Sequence, residues 1–180
     1  MNELKRFRAL CASMALASAL TACGGGGAAS SGAALTPQEQ IAQLEASGAL
    51  PSLDRTDSAA GIDANANGVR DDIERYIEKK YTVAAERAAA MQMARAFQQM
   101  LLVNKQDAAA LEAVSELGSR AIVCGSSVFA GPAASVELSQ MTTSLESMTT
   151  NTKLRLLAYL EYNKARSGSV STMPKGAVCD

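Results

Sequence analysis

Apolar side chains return every three or four residues through most of this chain, and that period restricts it to helices. Ile73, Tyr76, Ile77 and Tyr81 form one stripe, and residues 83–103 carry Ala90, Ala94, Phe97 and Leu101 on another. Leu111, Val114, Leu117 and Ile122 make a third, which the pattern ends before Cys124 and Gly125. Leu138, Met141, Leu145 and Met148 repeat at helical spacing; Leu154, Leu157 and Leu160 mark a last helix that frays towards Ser167 and Gly168. Strand-like alternation is absent, and aromatic residues are only 4% of the chain, so a sheet has little to build from. Upstream, Thr36, Pro37 and Glu39 stand at the N-cap, first-turn and capping-box positions of a helix running through Ile41 and Leu44 to about Gly48. Residues 50–62, with Pro51 and Gly61, read as irregular. The expected fold is all-α: a small helical bundle whose short connections make neighbouring helices antiparallel.

The first residues are of another kind. Lys5, Arg6 and Arg8 precede an uncharged, alanine-rich run over residues 9–22, the pattern of a secretory signal and too short for a bilayer span. The run ends in Leu20-Thr21-Ala22-Cys23, which resembles the lipobox of bacterial lipoproteins. The resemblance covers only the first two dozen residues. It implies removal of residues 1–22, diacylglyceryl on the Cys23 sulfur and an acyl chain on its amine. Three chains make a permanent anchor at about 0.8 kcal/mol per buried CH₂. Residues 23–34 then form a Gly/Ala/Ser-rich tether, and residues 35–180 are the folded domain. The implied location is the cell envelope, with the outer membrane facing the periplasm suggested by Gly24 after the cysteine.

Loss of the signal leaves 14 basic and 17 acidic side chains, a net charge of −3. Such a balance gives no footprint for nucleic acid. It also leaves two cysteines besides Cys23. Cys124 and Cys179 in an oxidising envelope are most simply a disulfide, with free thiols or a redox pair as alternatives. Closing a loop of roughly 55 residues stabilises by about 4 kcal/mol in the chain-entropy model.

One short segment carries an ion-binding pattern. Asp63, Asn65 and Asn67 stand at alternate positions, Gly68 follows, and Glu74 closes the run. This fits D-x-[DN]-x-[DN]-G-x₅-E, the EF-hand loop pattern. Ca²⁺ takes six to eight oxygens at about 2.3–2.6 Å, so alternate side chains on a curved loop converge on it. Val69 offers its carbonyl, Asp71 ligates directly or through water, and Glu74 binds with both oxygens. The segment departs from a full EF-hand: no helix leads in, Arg70 replaces the usual apolar residue, and no sister loop exists. It therefore resembles single dockerin-like or thrombospondin type-3-like calcium units, which implies a structural ion of modest affinity and no activity. The competing local explanation is an Asn67-Gly68 turn followed by a helix capped by Asp71, with Glu74 in the capping box and Asp72 at the positive helix end.

The remaining features point away from chemistry. The chain has no histidine, which removes the commonest general base and zinc ligand. Met91 and Met93 lie two apart on a helix and cannot chelate one ion together; with Met100, Met141 and Met148 they fit core filling. Lys153, Arg155, Lys164 and Arg166 read as a solvated helix face. The expected function is a non-enzymatic, lipid-anchored envelope protein that binds or scaffolds an envelope partner. Alternatives are an inhibitor or immunity-type lipoprotein and a hydrolase working with carboxylates alone. An exposed apolar face or cleft away from the loop favours the first two, and two carboxylates in one pocket favour the third.

Overall fold

The computed structural model describes residues 34–180. The signal segment, Cys23 and the tether up to residue 33 lie outside the described residues. Six helices follow in order: α1 Pro37–Ala46, α2 Asp71–Lys80, α3 Ala84–Leu102, α4 Ala108–Val128, α5 Ala134–Thr149 and α6 Lys153–Arg166. There is no strand among the described residues, so the domain is the all-α bundle that the period requires. Residues from Thr36 to Asp180 form one contact unit.

Helix α3 sits at the centre, packed against α2, α4, α5 and α6. Its alanines explain the position: Ala89, Ala90, Ala94 and Ala96 are buried and let neighbours approach closely, while Met93, Phe97 and Leu101 fill the spaces between. Ile73 and Ile77 of α2, Ala121 of α4, and Met141, Leu145 and Met148 of α5 complete the main core. Met91 and Met100 pack against it, so the methionines fill gaps, as their flexible thioethers allow. Helix α1 has its capping box, with the Glu39 N–H donating to Thr36 Oγ1 at 3.3 Å and the Thr36 N–H to Glu39 Oε2 at 2.7 Å. It nevertheless buries no residue.

Two expected registers are corrected. Helix α4 does not stop before Cys124 and Gly125 but runs to Val128. Its buried face is Leu111, Val114, Gly118, Ala121, Cys124 and Gly125, leaving Leu117 and Ile122 exposed. The glycines serve close packing here: a Cβ at Gly125 would meet Leu138 of α5, and one at Gly118 would meet Met100 of α3. Helix α6 is rotated from its leucine stripe. Leu154, Leu157 and Leu160 are exposed, while Arg155 and Tyr162 are buried and Tyr159 packs edge-on to Phe97 at 6.3 Å between ring centroids.

Cys124 and Cys179 form a disulfide, with Cα atoms 5.0 Å apart. The tail from Ser167 has no regular structure and is held by further bonds. Gln92 Nε2 donates to the Val178 carbonyl at 2.8 Å, Arg120 to the Ala177 carbonyl at 2.6 Å, and Arg95 pairs with Asp180. Among the described residues, no helix is long and apolar enough to cross a membrane.

Candidate metal centre

Residues 63–70 coil tightly ahead of α2, and the polar side chains of residues 63–74 bond to one another and to the coil's own backbone. Asp63 occupies the first position and receives the backbone N–H of Asn67 on Oδ1 at 3.1 Å and that of Gly68 on Oδ2 at 2.9 Å. Asn65 and Asn67 both reach the far side, where their amide nitrogens meet the two oxygens of Glu74 at 3.0 and 2.8 Å. Asn67 Oδ1 accepts from the Val69 N–H at 2.9 Å, an Asx turn that tightens the coil. Asp71 Oδ1 receives the Ala64 N–H at 3.0 Å, and the Asp71 N–H closes the base on the Ile62 carbonyl at 2.9 Å. Curvature of this kind needs left-handed backbone. Gly68 supplies it at φ +83°, and Ala66 adopts φ 55°, the only non-glycine residue with positive φ among the described residues.

Between the ion-type residues, Arg70 and Asp72 are used otherwise. Arg70, wholly buried, turns the opposite way into the body. Its guanidinium forks onto Asp72 at 2.9 and 2.6 Å and donates to the carbonyls of Met148 and Thr149 at the end of α5. Arg155, also wholly buried, crosses to the irregular segment, with Nη1 on the Asp54 carbonyl at 2.5 Å and Nε on the Ser58 carbonyl at 3.0 Å. Asn151 joins the two arginines, its Oδ1 accepting from both. Burial alone would raise the Asp54 carboxyl. Bonds from Thr56 and the Ile62 N–H, together with Arg155, outweigh it and hold the group at about 2. Burial likewise opposes ionisation of Asp72, but Arg70 and the Asp54 N–H keep its carboxyl below the usual range.

These two buried arginines are what the sequence reading missed. The sequence puts Arg155 on a solvated face, whereas the structure makes it the anchor of residues 54–58. Its spacing from Tyr159 and Tyr162, four and then three residues on, was the available signal. In the sequence Arg70 stands only as a departure from the EF-hand pattern; in the fold it locks the coil to the α5–α6 corner.

Of the turn-and-cap explanation, the turn at Asn67 and Gly68 is present and the cap is not. Arg70, not Asp71, is the N-cap of α2, without a side-chain cap bond. Glu74 faces the two asparagines instead of reaching back to the helix start, and Asp72 is buried against Arg70. Asp63, Asp71 and Glu74 have no ion pair with a basic side chain among the described residues. No set of three acidic, cysteine or histidine side chains closes on one point among the described residues. An ion here would therefore draw on amide and backbone oxygens as well, as the hard chemistry of Ca²⁺ permits.

A second concavity lies away from the loop. A cleft of about 400 Å³ opens between the end of α2, the start of α3, the end of α4 and the face of α5. Tyr76, Tyr81 and Phe129 line it with Lys80, Glu86 and Glu137, and none of the loop's oxygen donors does. Comparison with known families, curated proteins and solved structures gives no match.

Proposed function

We propose that the chain is a lipid-anchored envelope protein whose helical domain carries one structural Ca²⁺ in the loop over residues 63–74 and serves a binding or scaffold role. The observation that supports the ion is the gathering of Asn65 and Asn67 on the Glu74 carboxylate, with Asp63 closing the same coil on the Asn67 and Gly68 N–H groups. On binding, the asparagines would present amide oxygens in place of the N–H groups now facing Glu74, and Asp71 and the Val69 carbonyl would complete the oxygen set. The ion would supply charge neutralisation for three carboxylates and would stiffen the coil. Because Arg70 and Asp72 belong to the same segment, that stiffening would extend to residues 54–58 and the α5–α6 corner.

The binding role draws support from apolar residues exposed outside the core: Leu154, Leu156, Leu157 and Leu160 on α6, and Ile41 and Leu44 on α1. A hydrolase working through carboxylates alone would have Glu86 and Glu137 at its disposal in the cleft. Its test is turnover of a glycoside or ester that Glu86→Gln abolishes.

The ion is tested by thermal unfolding of the mature chain in chelator and in about 5 mM CaCl₂, a concentration above the range of extracellular modules. The expected outcome is a Tm raised by several degrees in Ca²⁺, a smaller rise in Mg²⁺, and no rise in Asp63→Ala or Glu74→Gln. A wild-type Tm that Ca²⁺ leaves unchanged overturns the proposal.

A further inference from the structure

Tyr81 is the least expected side chain of the cleft. It is only 7% exposed, yet its hydroxyl makes no hydrogen bond to any described residue. Burial pushes that hydroxyl up to about 12, with Tyr76 and Glu86 adding to the effect. Both of those groups line the same cleft, so the hydroxyl stands at its wall. The hydroxyl is not sealed from solvent, since among the described residues the sealed side-chain polar atom without a partner is Gln98 Oε1, so it stays open to a partner entering from the cleft. The charged groups of the lining are unengaged too: the side chains of Glu86, Glu137 and Lys80 make no hydrogen bond or ion pair with any described residue.

The lining therefore includes three aromatic residues, two carboxylates and one ammonium, with the neutral polar Gln140 and Ser144 beside them. Tyr81 and Phe129 meet edge to face, with centroids 6.4 Å apart and planes at 67°, an arrangement that holds both rings in place. Ring faces attract cations through their quadrupoles, most strongly where water is excluded. Carboxylates outnumber the ammonium two to one, so the charge of the wall also favours a cation. The volume of about 400 Å³ falls in the range of small-molecule sites. A bare metal ion would leave the rings unused, and an anion would meet both glutamates. We propose that this cleft binds a small organic ammonium ion, with Tyr76, Tyr81 and Phe129 as the aromatic wall, Glu86 and Glu137 as counter-charges, and the Tyr81 hydroxyl as a hydrogen-bonding partner. The site is separate from the loop and does not depend on Ca²⁺.

The test is calorimetric titration of the mature chain with choline, tetramethylammonium and putrescine at low salt. The neutral isostere 3,3-dimethylbutan-1-ol and acetate serve as controls. Saturable binding of at least one ammonium is expected, with the neutral isostere weaker by about tenfold. Glu86→Gln and Glu137→Gln should each weaken binding about two- to fivefold, and moderate salt should weaken it further. Glu86 is half-buried and Glu137 exposed, so these variants keep the fold, which circular dichroism would verify. Phe129→Leu keeps an apolar wall and should lose affinity for tetramethylammonium. No heat from any ammonium up to about 20 mM, well beyond the millimolar affinities of weak sites, overturns the proposal. So does tighter binding of acetate, equal binding of the isostere, or undiminished affinity in the Glu86→Gln/Glu137→Gln double variant. Titration in chelator separates this result from the calcium test, since the cleft should bind whether or not the loop is filled.

Discussion

Gly61 shows how a single position can carry the geometry of a whole segment. Its φ is +67°, and a Cβ built there would run into the Arg70 side chain, Asp54 Oδ2 at 2.7 Å and Arg155 Nη2 at 2.8 Å. Those neighbours are the two wholly buried arginines and the carboxylate that pairs with one of them, so they cannot shift without breaking charged hydrogen bonds. Gly48 has a similar φ of +73° but nothing within 4 Å. The pair separates backbone strain from collision. Gly48→Ala should cost about 1 kcal/mol in urea unfolding, the expense of a left-handed alanine. Gly61→Ala should cost roughly 3 kcal/mol, because strain and overpacking add. Equal costs would mean that the arginines do not crowd Gly61. The sequence announces Gly61 only as part of an irregular stretch, since neither buried arginine can be recognised from its immediate neighbours.

At the scale of elements, the helices were legible and their faces only partly so. Periodicity locates α2, α3 and α5 together with their buried residues, because there one apolar stripe meets one core. It misleads on α6, where two stripes compete. Leu154, Leu157 and Leu160 give the more apolar one, while Arg155, Tyr159 and Tyr162 give the one that packs. The second wins because Asp54, the carbonyls of residues 54 and 58, and Asn151 satisfy the guanidinium of Arg155 at a site the leucines could not use. The same holds for α4, where Gly118 and Gly125 look like breakers but are the contact surface. The turn at Asn67 and Gly68 is legible for the opposite reason: the bonds that close it run between residues at most five positions apart, whereas the hold of Arg70 on the end of α5 is long-range. A direct check of the α6 register is available. Leu157, 48% exposed, should tolerate Ala within about 0.5 kcal/mol. Tyr162, 5% exposed against Leu111 and Val114, should lose about 3 kcal/mol on the same change. Thermal unfolding of the two variants reads the difference, and a larger loss at Leu157 would restore the leucine stripe as the packing face.

For the molecule as a whole, the long-range ties are what sequence reading could not supply, apart from the disulfide that cysteine arithmetic left as its simplest pairing. The cleft draws residues from four helices or their ends between Tyr76 and Ser144, and no local motif joins them. The charged network spans a similar distance. Asp54 and Asp72 lie before and at the start of α2, whereas Asn151 and Arg155 lie at the junction of α5 and α6. This network is stable only while its carboxyls are ionised, which sets the response of the fold to acid. The Asp54 carboxyl titrates at about 2 when folded and near 3.8 otherwise, and Asp72 is shifted in the same direction. A depressed folded value means that the unfolded chain binds the proton first. The stabilisation is therefore fully present above pH 4–5, declines below it, and is gone once the pH falls beneath about 2. Allowing for screening by water at its exposed edge, Asp54 contributes about 1–2 kcal/mol. Unfolding followed by circular dichroism from pH 6 to pH 2 should show this decline, and Asp54→Asn should flatten it while lowering stability at pH 6. If the variant retained the full acid sensitivity of the wild type, the network would not be what holds the α5–α6 corner to residues 54–72.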